Sequence, residues 1–247
     1  MNWYVPLAGD APVRLFAFPH AGAGCAQFAG LAKAMAPEVA LWAANLPGRQ
    51  GRLDEPPPDD LTALVETLAG ELAPLTGTPY ALFGYCGGAL LALLVARGLR
   101  DRRVPSPTRL VVASFEAPDI ARLPRGLAGL PSEQLWQRLA ADGGTPPGMA
   151  ADPRLRRVAE GAVRADFALL AGYRHTVEPP LEIPVTVCFG HDDPAPRGAW
   201  LGWQRQTVAP PELRELSGGH WLLDESPAEL ADVLRDAVAT GPGAGTR

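Results

Sequence analysis

The stretch Gly84-Tyr85-Cys86-Gly87-Gly88 constrains this chain more than any other. The short apolar run Tyr80-Ala81-Leu82-Phe83 precedes it, and the helix-forming run Ala89 to Ala96 follows it. A G-x-C-x-G frame between a strand and a helix is the pattern of a strained turn that holds a nucleophile clear of a sheet. Glycine gives such a turn the room it needs. Alone, the pentapeptide would mean little, because cysteine is often a buried apolar residue. In this setting it predicts strand, turn and helix, with Cys86 as nucleophile.

The rest of the chain repeats the alternation. Val13–Phe18, Glu38–Leu46, Arg109–Ser114, Pro184–Phe189 and Glu212–Leu216 read as strands. Gln27–Ala36, Leu61–Leu75, a segment between the last two strands, and Pro227–Ala239 read as helices. Short apolar strands alternating with helices imply an α/β fold with a mostly parallel sheet covered on both faces. Between Ala121 and Thr176 the alternation stops, and only helical stretches broken by Gly and Pro remain. An insertion of this kind, spanning about 121–178, reads as a helical lid on an otherwise single domain of residues 1–247. The Gly-rich tail 240–247 reads as disordered.

Composition narrows the partners. With 47% apolar residues among 247, the chain has ample material for a core, and no apolar run reaches the length of a membrane helix. A formal charge of −5 argues against nucleic acid. The N-terminus lacks a basic start and a long apolar stretch, so no secretory signal is expected. Three cysteines without metal-like spacing fit a reducing, cytoplasmic setting and imply no metal. Cys25 and Cys188 read as buried fillers. A monomer is expected.

A nucleophile on such a turn needs an acid and then a histidine further along the chain. Gly190-His-Asp-Asp-Pro194 and Ser217-Gly-Gly-His220 each follow a strand directly. His220 is therefore the expected base, and Asp193, from the G-x-x-D spacing, the expected acid, ahead of Asp192. Glu116 and Asp119, beyond the Arg109–Ser114 strand, are further candidates. On its own, Asp-Asp-Pro would read as a helix N-cap. His20 lies in the turn after the first strand and reads as structural. The backbone N–H groups of Ala21 and Gly87 are the expected oxyanion donors, each worth ~10²–10³ in rate. His175 and His191 read as surface or packing residues.

Together these motifs resemble the type II thioesterases, stand-alone α/β-hydrolases that serve polyketide and nonribosomal peptide assembly lines. The resemblance rests on Leu15–Gly22, Asn45–Arg49 with Arg52–Pro56, Gly143–Pro146, Arg164–Phe167 with Tyr173-Arg174, and Gly218–His220. It implies a phosphopantetheinyl thioester presented by an acyl or peptidyl carrier protein, hydrolysis through an acyl-Cys86 intermediate, and no metal or organic cofactor. Two departures stand out. The family has serine followed by methionine where this chain has Cys86-Gly87, and a Gly-Arg pair where this chain has Phe115-Glu116. An acyl group on cysteine remains a thioester, so transfer to a second thiol or an amine stays open beside hydrolysis. A non-catalytic carrier-binding protein is a third reading, for which a degraded triad would be the sign.

Overall fold

The computed structural model describes residues 2–146, 148–149 and 152–239. Seven strands form one sheet: β1 (Tyr4–Pro6), β2 (Val13–Phe18), β3 (Val39–Ala44), β4 (Tyr80–Tyr85), β5 (Leu110–Ala113), β6 (Val185–Gly190) and β7 (Glu212–Leu216). Their spatial order is β1-β3-β2-β4-β5-β6-β7, with β1 antiparallel to β3 and every other pair parallel. Helices α1 (Ala29–Met35), α2 (Leu61–Leu72) and α3 (Gly87–Asp101) connect the first strands, and α4 (Ser132–Ala141) and α5 (Pro153–Gly172) lie between β5 and β6. The short α6 (Arg197–Leu201) and α7 (Leu222–Glu225) flank β7, and α8 (Pro227–Ala239) follows.

Both sheet faces are buried, so alternate residues of one strand enter different cores. Phe16 and Phe18 of β2 pack with Leu64, Leu68 and Leu72 of α2 and with α3. Leu15 and Ala17 pack on the other side with Phe28, Leu31 and Met35 and with Leu230 and Leu234 of α8. All six residues of β4, at the centre, are buried. The connections after β2, β4, β5, β6 and β7 leave from one edge, the carboxyl ends of the parallel strands, where ligands bind in open α/β sheets.

The segment between β5 and β6 is helical and contains no strand among its described residues. It has a small core of its own in Leu135, Trp136, Leu139 and Val163. Glu160 accepts from Ser132 Oγ at 2.5 Å and from Trp136 Nε1 at 3.0 Å, which ties α4 to α5. Leu170 and Tyr173 pack on Leu90 and so join the end of α5 to α3.

Two sequence expectations change. Residues 4–6, without an assignment in the sequence, form the antiparallel edge strand β1; three residues carry no periodicity, and the pairing to β3 is long-range. Between β6 and β7 the helix is only Arg197–Leu201, followed by a 3-10 turn at Gly202–Gln206. The tail 240–247 lies outside the described residues.

Candidate active site

Cys86 sits between β4 and α3 with φ +50° and ψ −126°, a left-handed conformation that a non-glycine residue adopts only where its surroundings enforce it. The enforcement is visible on both sides. A methyl group on Gly84 would lie 2.4 Å from Ala89 Cα, and one on Gly88 would lie 2.2 Å from the Phe18 carbonyl oxygen. The two framing glycines thus let α3 start directly against β4 and β2. Cys86 N–H donates to the Ala113 carbonyl at 2.8 Å, which fixes the turn to β5. The thiol is partly exposed, whereas Cys25 and Cys188 are buried.

Of the carboxylates considered, the structure brings Asp193 to His220. Nδ1 of His220 lies 3.3 Å from Asp193 Oδ2, and Oδ1 accepts the Ala195 N–H at 2.9 Å. Asp192 is exposed. Glu116 pairs with Arg122 and Asp119 with Arg205. Burial works against ionised Asp193, but the hydrogen bonds from His220 and Ala195 prevail and hold its carboxyl below the usual value. Burial likewise opposes a charged His220; the negative charge of Cys86, then hydrogen bonds to Asp193 and Cys86, outweigh it and raise the imidazole to about 10. The arrangement favours an imidazolium, oriented by a carboxylate, beside the Cys86 thiol.

The loop carrying His220 is pinned by groups that have no signature in the sequence. Hydroxyls of Tyr85 and Ser114 both donate to the His220 carbonyl, each at 2.8 Å. Ser217 N–H donates to Glu229 at 3.0 Å. Trp221 Nε1 donates to the Gly143 carbonyl at 2.8 Å, tying the loop to the inserted segment. His20 stacks edge-on to Tyr85 and Trp221, and its Nδ1 meets no hydrogen-bond partner among the described residues. Burial, and then the charge of His220, lower its imidazole to about 3, so it stays neutral and does not act as a base near neutral pH. His191 pairs with Glu215 at the surface, and His175 touches the Tyr173 hydroxyl.

A cavity of about 640 Å³ opens above Cys86 and His220, walled on one side by the inserted segment through Leu123, Leu139, Phe167 and Leu170. Ala21 and Gly87 both line it. Gly87 is the first residue of α3, where helix N–H groups have no intrahelical acceptor, and the Ala21 N–H meets no protein acceptor among the described residues. Beside Ala21, the Gly22 N–H donates to Asp166 Oδ2 at 2.7 Å. The same carboxylate takes a bidentate pair from Arg49 at 2.5 and 2.7 Å, while Arg49 also donates to the Ala23 carbonyl at 3.2 Å. Asp166 on α5 therefore clamps the loop between β2 and α1. Arg49 and Asp166 belong to stretches noted in the sequence, but nothing there assigned them to each other.

Among the described residues, no group of three or more His, Cys, Asp or Glu side chains is arranged to hold a metal ion. No helix of those residues is long and apolar enough to cross a membrane.

A mostly parallel sheet, a left-handed cysteine turn after its central strand, and a histidine–aspartate pair at the same edge place the molecule among the α/β-hydrolases. The chain belongs to the thioesterase family, hydrolases that act on thioesters: the thioesterase domain model matches residues 13–238. It is 31% identical to the gramicidin S biosynthesis protein GrsT of Aneurinibacillus migulanus, over 94% of this chain and 92% of that protein. RedJ, a thioesterase from the prodiginine biosynthetic pathway in Streptomyces coelicolor, superposes with a TM-score of 0.83 at 33% identity, covering 92% of this chain and 91% of that one. The type II thioesterase BorB from the borrelidin biosynthetic cluster gives a TM-score of 0.88 at 29% identity, covering 96% and 98%.

Proposed function

We propose that this protein is a type II thioesterase of a polyketide or nonribosomal peptide assembly line. It acts in the cytoplasm on acyl or aminoacyl groups held as phosphopantetheinyl thioesters on a carrier protein. The reading is carried by the Cys86 turn facing His220, in a chain whose relatives are named for biosynthesis of such products. The exposed Arg122, Arg125 and Arg138 at the cavity lining suit the anionic phosphodiester of the carrier's arm.

In this mechanism the Cys86 thiolate attacks the thioester carbonyl. The developing oxyanion accepts from the N–H groups of Ala21 and Gly87. The carbon–sulfur bond to the arm breaks, and the departing thiolate takes the proton of the His220 imidazolium. Neutral His220 then accepts a proton from the attacking water while Cys86 leaves as thiolate, which restores the starting pair. Asp193 holds the ring in the required tautomer. The segment around 121–178 is the lid that covers the acyl group.

The cysteine favours a second reading on the same scaffold. Loading Cys86 exchanges one thioester for another, so the bound acyl group stays activated. A second carrier thiol or an amine can then accept it in place of water. Intact-protein mass spectrometry with an acyl-loaded carrier, with and without an empty second carrier, tests both. An adduct on Cys86 that decays to free acid in either case supports hydrolysis. One that persists in water and moves to the second carrier supports transfer. No adduct in the native protein, at a loading where the carrier is nevertheless emptied, sinks the covalent mechanism.

A further inference from the structure

Three residues lining the cavity bear carboxylates: Asp142, Asp193 and Glu116. Asp193 is engaged by His220 and the Ala195 N–H, and Asp142 is half-exposed and bound to Arg138. Glu116 is different. Its side chain is only 13% exposed, and it stands two residues beyond Ser114, which holds the His220 carbonyl. Its Oε2 accepts the Arg122 backbone N–H at 2.7 Å, so the carboxylate is aimed by main chain. The other oxygen meets the Arg122 guanidinium at 3.0–3.1 Å, yet that side chain is 71% exposed.

Arg122 is mostly in water, so its guanidinium is the partner that can give way when another cation takes its place. The backbone donor would still hold Glu116 in place. Its freed oxygen would then face a cavity whose walls at Leu123, Phe167, Leu170 and Trp200 are apolar. A carboxylate in such a place needs a cation. A protonated amine on the acyl chain brings one, with up to three N–H donors. The cavity's arginines are exposed, so the charge sequence from rim to interior is positive and then negative.

We propose that Glu116 is a specificity residue that receives the ammonium group of the substrate, making aminoacyl thioesters the preferred class over plain acyl thioesters. The proposal rests on the thioesterase reading of the Cys86 site. A plain acyl chain leaves the Glu116–Arg122 pair intact and is tolerated, so the discrimination amounts to one charge-assisted hydrogen bond, about ten- to a hundredfold in kcat/KM.

The test uses pantetheine thioesters of L-leucine, N-acetyl-L-leucine and isocaproic acid, which share a carbon skeleton and differ in the amine. With the full chain, the leucyl thioester should lead the other two by that factor. Glu116→Gln should bring the leucyl to isocaproyl ratio towards one. Arg122→Ala, which removes the competing cation, should keep or raise it. A brace formed by Glu116 and Arg122 alone would instead make the two variants fall together on all three substrates, and that result overturns the assignment. Equal wild-type rates on leucyl and isocaproyl thioesters overturn amine recognition while leaving the thioesterase reading standing. Turnover of none of the three by the wild type overturns both.

Discussion

The Cys86 turn and the far end of α5 meet at the cavity, and they are held in place by opposite means. The turn is backbone against backbone: α3 begins so close to β4 and β2 that neither Gly84 nor Gly88 has room for a methyl group. The α5 side is held by side chains reaching over, Asp166 to Arg49 and Gly22, and Leu170 towards Gly87, where a Cβ would come within 2.9 Å of it. One half of the site is thus as rigid as the sheet. The other rests on side-chain contacts with one buried ion pair at their centre, an attachment that opens more easily than a sheet.

Breaking the backbone half should have the largest effect. Gly88→Ala places carbon 2.2 Å from the Phe18 carbonyl and 2.5 Å from that of Pro19, so either β2 or the start of α3 must move. Overpacking of this severity should cost ~3 kcal/mol or more, a large part of a domain's stability. Most of the variant should be lost as insoluble protein, and the folded remainder should show no iodoacetamide labelling of Cys86. Normal labelling and a native melting temperature would show that the elbow is less constrained than its contacts imply.

Breaking the side-chain half should leave the sheet standing. Asp166→Ala strands the buried Arg49 and should cost about 3–5 kcal/mol. Asp166→Asn keeps an acceptor for the Gly22 N–H and should cost less. In both, limited proteolysis should cut first between β5 and β6, where the clamp is lost. The clamp also fixes the loop carrying Ala21, so acylation of the enzyme by a thioester should slow by ~10²-fold, the loss associated with a misplaced oxyanion donor. Alkylation of Cys86 by iodoacetamide makes no oxyanion and should not slow in Asp166→Asn. Parallel loss of both reactions would mean that Asp166 supports the thiol itself and not the loop.

The same contrast explains what could be read from the sequence. The elbow is legible because its constraints are local: five consecutive residues encode the turn, and strand and helix patterns flank it. The strands are legible because both sheet faces are buried, leaving continuous apolar runs such as Leu110–Ala113. His220 and Asp193 follow from chain order and spacing. The Asp166–Arg49 clamp joins residues 117 positions apart; each lies in a stretch that carries the resemblance, but no spacing rule pairs them. Tyr85 and Ser114 are illegible for a related reason: their hydroxyls serve a backbone carbonyl more than a hundred residues away, and no spacing rule encodes that. β1 is illegible because its signal lies in its pairing with β3.

The smallest effect expected is in pH dependence, and it tests whether the two halves are chemically separate. His220 is raised to about 10 in the presence of the Cys86 negative charge, so the imidazolium persists through the neutral range and is lost only as pH climbs towards that value. The imidazolium signals of His220 in proton NMR should therefore persist from pH 6.5 to 9. Asp193→Asn removes a hydrogen bond that favours the charged ring, so His220 should lose its proton at lower pH. Asp166→Asn should leave the titration unchanged, since its carboxylate serves Arg49 and Gly22. Loss of the proton below pH 7 in the wild type would mean that the imidazolium does not persist in the resting site, leaving His220 to act as a base only after substrate arrives.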